Sequence, residues 1–275
     1  MPYPFAIPPQ ALSCKTKYPI VLLHGTGSRD HKQRGCWGRI PKALENYGAE
    51  VYFGNQDAWG TIENNAIVVK ENINAVLSET NCGKVNIIAI SKGGLEARYM
   101  IFKLGMGDKV ASLTTISTPH YGSKTMDFLC KRLKYPMKLA AVFVNQVYRY
   151  LGDESPDFYG TCNQFTTAHI KRFNHEILDS NKIYYQSYAS LMKKPYSDIL
   201  LFFPHLVVKW FDGECDGIVS VDSAKWGEFK GVITGEGIRG ISHSDLRDLR
   251  KRDGSGTDIR GVFVRIVREL KEKGL

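Results

Sequence analysis

One serine lies between a strand-like run and a helix-like run, and this junction restricts the folds that the chain can adopt. Ser91 directly follows the apolar segment 85–90 and precedes the helix-like segment 95–100. A strand that turns sharply into a helix forces its turn residue into strained backbone angles, and small residues two before and two after it relieve the crowding. Ala89 and Gly93 hold those two places. The segment is typical of a nucleophile elbow, with alanine where glycine is usual, although an ordinary turn has the same appearance.

A short apolar strand upstream supports the elbow. Residues 19–23 are apolar throughout and run into His24 and Gly25, as expected where a buried parallel strand meets a loop near an active site. Acyl transfer needs two rigid N–H donors pointed at the developing oxyanion. We expect these to be the backbone N–H groups of Thr26 and Lys92. His24 is interpreted as a loop histidine with local hydrogen bonds rather than as a base.

An elbow of this kind predicts that an acid and then a histidine follow the serine along the chain. The turn-rich segment 212–220 supplies the acid, and an apolar strand start after it would place the carboxylate at a strand end. Asp216 is our choice; Asp212 and Glu214 are alternatives, and all three could instead form a solvated turn. His243, in a loop before the last helix, is the histidine that follows Asp216. The others considered for the base precede the acid: His120, His169, His175 and His205.

Several blocks, taken in order, resemble bacterial triacylglycerol lipases of the α/β-hydrolase fold. The resemblance implies carboxylic-ester hydrolysis, with Ser91, Asp216 and His243 as the triad. Family elbows usually carry histidine just before the serine, where this chain has Ile90. One alternative is a thioesterase or acyltransferase, which would use the same triad. The other is a binding module of the same fold that has no catalytic activity. The matching blocks are 19–25, 91–99, 117–123, 216–219 and 243–245.

The length and apolar content suit one α/β domain. A chain of 275 residues that is 43% apolar can bury a full core, so we expect a single domain over 1–275. Alternating strands and helices predict a mostly parallel central sheet flanked by helices, with ligands at the carboxyl ends of the strands. The predicted strands are 19–23, 50–54, 85–90 and 111–117, and the predicted helices are 35–48, 62–79 and one after Ser91.

The regular alternation loosens over 124–166, which indicates an insertion. Apolar residues recur there at helical spacing, and lysine and arginine residues precede them. One interpretation is a surface helix packed on the core. The other is a lid, since an enzyme that acts on long acyl chains needs an apolar surface that covers the cleft in water and opens onto lipid. The apolar stripe comprises Leu139, Val142, Phe143, Val147, Tyr150 and Leu151.

Triad chemistry requires no cofactor, but the resemblance makes a structural calcium ion a candidate. In some relatives the aspartate two residues after the catalytic histidine helps to hold calcium, and Asp245 occupies that place. Calcium needs several oxygen ligands, so a second carboxylate is required, for which Asp198 is the nearest candidate. Related zinc sites draw histidines from between the first helix and the elbow. No histidine occurs between His31 and His120, so zinc is not expected.

Charge and composition limit the partners. The net charge is +9, but the basic residues are scattered among acidic ones, which is typical of solvated helix faces. Nucleic-acid binding would need a clustered basic patch and a recognisable module, and neither is present. We expect an acyl ester or lipid substrate, with contact to a lipid surface compatible with the charge. Oligomeric state and acyl length stay open.

Cysteines and the amino terminus bear on the compartment. The six cysteines form no CxxC pair, and a domain of this size needs no disulfides, so free thiols are expected. Residues 1–9 lack a basic start and an unbroken apolar core, and we do not interpret them as a signal peptide. A soluble protein is expected, with the cytoplasm favoured over export.

Overall fold

Six parallel strands form one sheet in the computed structural model, which describes residues 13–30, 36–235, 237–250 and 258–275. The strand order is β2-β1-β3-β4-β5-β6, and every neighbouring pair is parallel. The predicted parallel sheet is therefore confirmed. The strands are β1 Ile20–Leu23, β2 Val51–Phe53, β3 Val85–Ile90, β4 Val110–Ile116, β5 Tyr184–Ser190 and β6 Glu228–Ile233.

Helices cover both faces of this sheet in the described part of the chain. Side chains alternate along a strand, so Ile20 and Leu22 of β1 pack on one face while Val21 and Leu23 pack on the other. α1 and α9 close the first face, and α2 and α3 close the second. The helices are α1 Ile40–Asn46, α2 Ile62–Thr80, α3 Lys92–Lys103, α4 Lys124–Arg132, α5 Lys134–Tyr150, α6 Phe158–Gln164, α7 Thr167–Glu176, α8 Phe202–Asp212 and α9 Ile259–Glu272.

The early elements lie close to their predicted bounds. β3 matches its predicted range, and α2 ends one residue later than predicted. α1 is shorter than predicted: it begins only at Ile40, after a turn in which Gly38 has a φ of 53°. Gly48, which follows the C-cap residue Tyr47, has a φ of 90°, which a glycine adopts without a steric cost.

Helices α4 to α7 fill the connection between β4 and β5, so the predicted insertion is helical. The part of the sequence around the predicted acid differs from expectation. No strand begins directly after Asp216; the segment forms a tight turn closed by a bridge between Cys215 and Ser220. All six cysteines are free, as expected. The amino-terminal segment 1–9 lies outside the described residues, and no helix among those described is long and apolar enough to cross a bilayer.

Candidate active site

Ser91 occupies a strained turn between β3 and α3. Its φ of 55° and ψ of −128° are unfavourable for a residue with a side chain, and its N–H donates to Ile116 O at 3.0 Å. Gly93 explains how the turn is built, because a Cβ atom there would lie 2.7 Å from His24 O. The residue must be glycine for α3 to approach the end of β1. The elbow inferred from the sequence therefore has the expected geometry.

The loop after β1 lies directly against the serine. A Cβ atom on Gly25 would be 2.6 Å from the Ser91 Cβ and 3.1 Å from its Oγ. Thr26, the next residue, lines the same cavity as Ser91. Lys92 is the first residue of α3, where a backbone N–H has no partner within its own helix. The two backbone groups expected to bind an oxyanion thus belong to the two segments that meet at Ser91.

His243 and Asp216 form a hydrogen-bonded pair. The distance from His243 Nδ1 to Asp216 Oδ2 is 2.8 Å, and the His243 N–H donates to Asp216 O at 2.9 Å. The carboxylate is fully buried, whereas 13% of the imidazole is exposed. A carboxylate accepts and does not donate, so Nδ1 carries the proton and Nε2 keeps its lone pair. This is the arrangement that a general base requires.

Hydrogen bonds hold the buried Asp216 in its ionised form. Oδ1 accepts from the N–H groups of Ile218 and Val219, and Oδ2 also accepts from Ser190 Oγ at 2.7 Å. Burial alone would raise the pKa of Asp216, but the His243 side chain and these donors outweigh it, so the pKa lies below its ordinary value. The turn that was predicted to be a strand start instead supplies two of the donors.

Two serines that were not predicted from the sequence lie behind the acid. Ser190 ends β5, and its Oγ lies 2.8 Å from the Oγ of Ser117, which follows β4. Ser117 has a φ of 48°, a conformation disfavoured for a serine, and its Oγ also accepts from the Ser190 N–H. Ser117 lies in a block that resembles the lipases, but nothing in the sequence marked Ser190.

The alternative acids have structural roles. Asp212 accepts hydrogen bonds from the N–H groups of Lys124 and Thr125 at the start of α4, as a carboxylate does near a helix amino terminus. Glu214 forms a surface pair with Lys209 at 2.7 Å. Neither contact involves His243. Among the three carboxylates considered, Asp216 is the one that the structure pairs with the histidine.

The other histidines are engaged elsewhere. Both ring nitrogens of His24 lie within 3.1 Å of backbone carbonyl oxygens, in agreement with its interpretation as a loop histidine. His120 is fully buried against the Trp226 ring, and burial lowers its pKa well below the ordinary value. His205 is buried beside Cys215, and burial lowers its pKa as well. His169 and His175 lie on α7.

The two aspartates of the implied calcium site do come together. Ser242 Oγ bridges both: it lies 2.9 Å from Asp198 Oδ2 and 2.9 Å from Asp245 Oδ2, and its single O–H can donate to one of the two carboxylates at a time. The Arg250 guanidinium approaches the same pair, with Nη2 at 2.6 Å from Asp198 Oδ1. Calcium takes six to eight oxygen ligands, and no group of three or more acidic, histidine or cysteine side chains that could hold a metal occurs among the described residues. The surroundings of the pair do not fit calcium.

An apolar cavity of about 460 Å³ opens beside Ser91. Its walls come from the start of α4, from α8 and from the turn after Asp216, so the insertion contributes directly to the site. Cavities of roughly 300–1,000 Å³ are typical of sites for small molecules. The apolar lining residues are Pro119, Met126, Leu129, Phe165, Phe203, Pro204, Val207, Val208, Ile218 and Val219.

The predicted apolar stripe of α5 faces outward. Val142 is 71% exposed and Phe143 is 73% exposed, and Ala141 is the buried residue of this helix. The stripe is therefore not packed on the core. This contradicts the first of the two interpretations, a surface helix packed on the core. The end of α5 is fixed to the loop after β1, because Tyr148 Oη donates to Gly27 O at 3.3 Å. Other exposed apolar residues lie on α8 and just before it: Ile199, Leu200, Phe203 and Trp210.

Comparison with known sequences gives consistent relatives. A family model described as palmitoyl protein thioesterase matches residues 19–189, a range that includes Ser91 but ends before Asp216 and His243. Triacylglycerol lipase 2 of Saccharomyces cerevisiae is 29% identical over 259 residues, which cover 86% of this chain and 74% of the yeast protein. The triacylglycerol lipase of Pseudarthrobacter phenanthrenivorans is 34% identical over 177 residues, or 58% of this chain. The chain spans about half the length of that bacterial lipase.

Solved structures share the fold. The lipase of Staphylococcus hyicus has a TM-score of 0.68 at 16% identity, covering 94% of this chain and 96% of its own. A metagenomic carboxyl esterase has a TM-score of 0.72 at 14% identity, covering 99% of this chain and 79% of its own. The predicted α/β-hydrolase fold is confirmed.

Proposed function

The chain belongs to the palmitoyl protein thioesterase family and is a serine ester hydrolase, and we propose that Ser91, His243 and Asp216 are its catalytic triad. The observation that supports this proposal most strongly is the hydrogen bond of 2.8 Å between His243 Nδ1 and the buried Asp216 carboxylate. Ser91, on its strained turn, faces the apolar cavity into which an acyl group would fit.

Hydrolysis proceeds by two acyl transfers. His243 Nε2 takes the proton of Ser91 Oγ as that oxygen attacks the ester carbonyl carbon, and Asp216 stabilises the imidazolium. The tetrahedral oxyanion accepts hydrogen bonds from the N–H groups of Thr26 and Lys92. It collapses to an acyl-serine while His243 protonates the departing alcohol. Water then attacks the acyl-serine by the same route and releases the carboxylic acid and free Ser91.

The cavity favours a lipid ester as substrate. An apolar volume next to Ser91 binds the acyl chain by burying it away from water. The curated relatives named triacylglycerol lipase point to the same chemical class.

Helix α5 is the lid in this proposal. Its apolar stripe is exposed and α4, not α5, contributes to the cavity wall, which is the arrangement of an open cleft facing a lipid surface. The +9 net charge supports approach to anionic lipid.

A thioester is the second candidate substrate. The family model favours it by its description, and the triad attacks an oxygen ester or a thioester alike, since only the leaving group differs. Comparing kcat/KM for an acyl p-nitrophenyl ester and an acyl thioester of the same chain length decides between them.

A fluorophosphonate probe tests the triad. We expect the native protein and the Ser155→Ala variant, which changes an exposed serine, to be labelled, whereas Ser91→Ala is not. Asp216→Asn should keep the fold but lower kcat on the order of 10⁴-fold, because the asparagine amide favours the wrong imidazole tautomer. Undiminished labelling of Ser91→Ala would defeat the assignment.

A further inference from the structure

The loop that carries His243 is fixed by an ion pair from within the chain. Ser242, the residue before His243, is fully buried, and its hydroxyl lies between the carboxylates of Asp198 and Asp245. Arg250 reaches the far side of Asp198 at 2.6 Å and approaches Asp245 Oδ1 at 4.0 Å. One cation thus faces two carboxylates, which in turn hold the residue next to the proposed base.

Both oxygens of Asp198 already accept hydrogen bonds from within the chain. Its Oδ1 accepts from the Leu200 N–H and from Arg250, and its Oδ2 accepts from Ser242. The carboxylate is fully buried, yet the Arg250 and Ser242 hydrogen bonds outweigh burial and lower its pKa. A calcium ion binds carboxylate oxygen at about 2.3–2.6 Å, the distance at which Arg250 already lies, so the two cations exclude each other at this oxygen.

We propose that Arg250 is a positioning residue for His243, supplying as a tethered guanidinium the positive charge that holds Asp198, Ser242 and Asp245 together, so that the enzyme needs no calcium. The proposal rests on the proposed function, in which His243 is the base. Arg250 acts through the loop and does not touch the substrate. A displacement of the imidazole by a fraction of an ångström would misalign the proposed base and lower the rate without altering how the acyl chain binds.

The first test is made on the native enzyme. After dialysis against a calcium chelator, we expect the melting temperature and the rate on a short-chain p-nitrophenyl ester to be unchanged, and added calcium to alter neither. A melting temperature or rate that falls on chelation and returns with calcium would overturn the proposal. A native protein without esterase activity would instead refute the proposed function, so the two failures are distinguishable.

The second test removes the guanidinium. We expect Arg250→Ala to lower kcat on the order of 10- to 100-fold with KM unchanged, because the binding cavity is untouched while the base is displaced. Arg260→Ala, which breaks an exposed pair with Asp258 at the start of α9, is the matched control and should leave kcat as it is. Arg250→Lys should recover part of the rate, since a lysine carries the charge but not the planar fork.

Chemical rescue separates positioning from general loss of structure. Millimolar guanidinium chloride should restore kcat of Arg250→Ala, whereas potassium chloride at the same ionic strength should not. If Arg250→Ala does not fold, Ser242→Ala provides the second variant: it removes the hydroxyl that links the loop to both aspartates, and we expect the same kcat loss at constant KM. Native kcat in either variant, or a loss confined to KM, would overturn the proposal.

Discussion

A buried ion pair beneath the elbow gives the sharpest stability prediction. Lys92 Nζ lies 3.0 Å from Glu96 Oε1 one turn along α3, and both side chains are fully buried. The ammonium also donates to Gly60 O at 2.6 Å, and the carboxylate accepts from Asn65 and Gln56. The substitution Glu96→Gln keeps the size of the side chain but removes its negative charge. The Lys92 ammonium then stays buried without an anionic partner among these contacts and keeps its hydrogen bond to Gly60 O.

The expected cost follows from the burial. Removing one partner of a buried pair destabilises a protein by about 3–5 kcal/mol, because an uncompensated charge stays out of water. At roughly 2–4 °C per kcal/mol for a chain of this class, the melting temperature should fall on the order of 10 °C. Lys92→Met with Glu96→Gln removes both charges, and this double variant should be more stable than Glu96→Gln alone.

Urea unfolding at neutral pH measures these differences. The midpoints of the native protein, both single variants and the double variant give the coupling between Lys92 and Glu96, provided that the slopes agree. A loss of less than about 1 kcal/mol in Glu96→Gln would match an exposed pair and refute the reasoning from burial. Single-variant losses that simply add in the double variant would refute the ion pair itself.

Three further outcomes are expected. Serine at both Val142 and Phe143 should lower hydrolysis of emulsified long-chain esters more than that of soluble short-chain esters, and equal losses would contradict a lid role for α5. Gly25→Ala should lower kcat on the order of 10²-fold, because its Cβ would lie 2.6 Å from the Ser91 Cβ and displace the serine. A native rate would show that the loop after β1 can move away from Ser91 and would contradict this prediction. As the pH falls below about 6.5, the free energy of unfolding should decrease by up to ~1.4 kcal/mol per pH unit. The reason is that His120, whose pKa is lowered by burial, stays neutral in the fold while the unfolded chain takes up the proton. In His120→Gln, the urea midpoint should depend less steeply on pH.

The central strands and the elbow were predictable because local sequence alone specifies them. A parallel strand covered on both faces forms a nearly continuous apolar run; β1 is apolar throughout, and β3 has Asn86 as its one polar residue. β5 contains tyrosine, glutamine and serine residues and β6 begins with a glutamate, so neither carries a continuous apolar run. β5 takes its place in the sheet by pairing with β4, and β6 by pairing with β5, and such pairing is a property of the tertiary structure.

The acid required information that no local pattern holds. Asp216 was chosen by its order along the chain, and the strand start predicted directly after it was wrong because its hydrogen bonds close a turn there instead. Ser190, which donates to it, is 26 residues away, and Ser117 is a further 73 residues away. Serine is too common for such partners to be recognised until the strand ends are placed side by side.

The order of the strands explains why these distant residues meet. In a parallel sheet all carboxyl ends lie at one edge, so the residues that end or directly follow β3, β4 and β5 become neighbours even though long helical connections separate them in sequence. Ser91, Ser117 and Ser190 hold those three places in spatial order. Ser91 is the proposed nucleophile at one end, and the other two serines form a hydrogen-bonded path to Asp216 at the opposite end. The sheet thus sets the separation between nucleophile and acid, and the His243 loop has to reach across that gap, which is why its anchoring by Arg250 matters for catalysis.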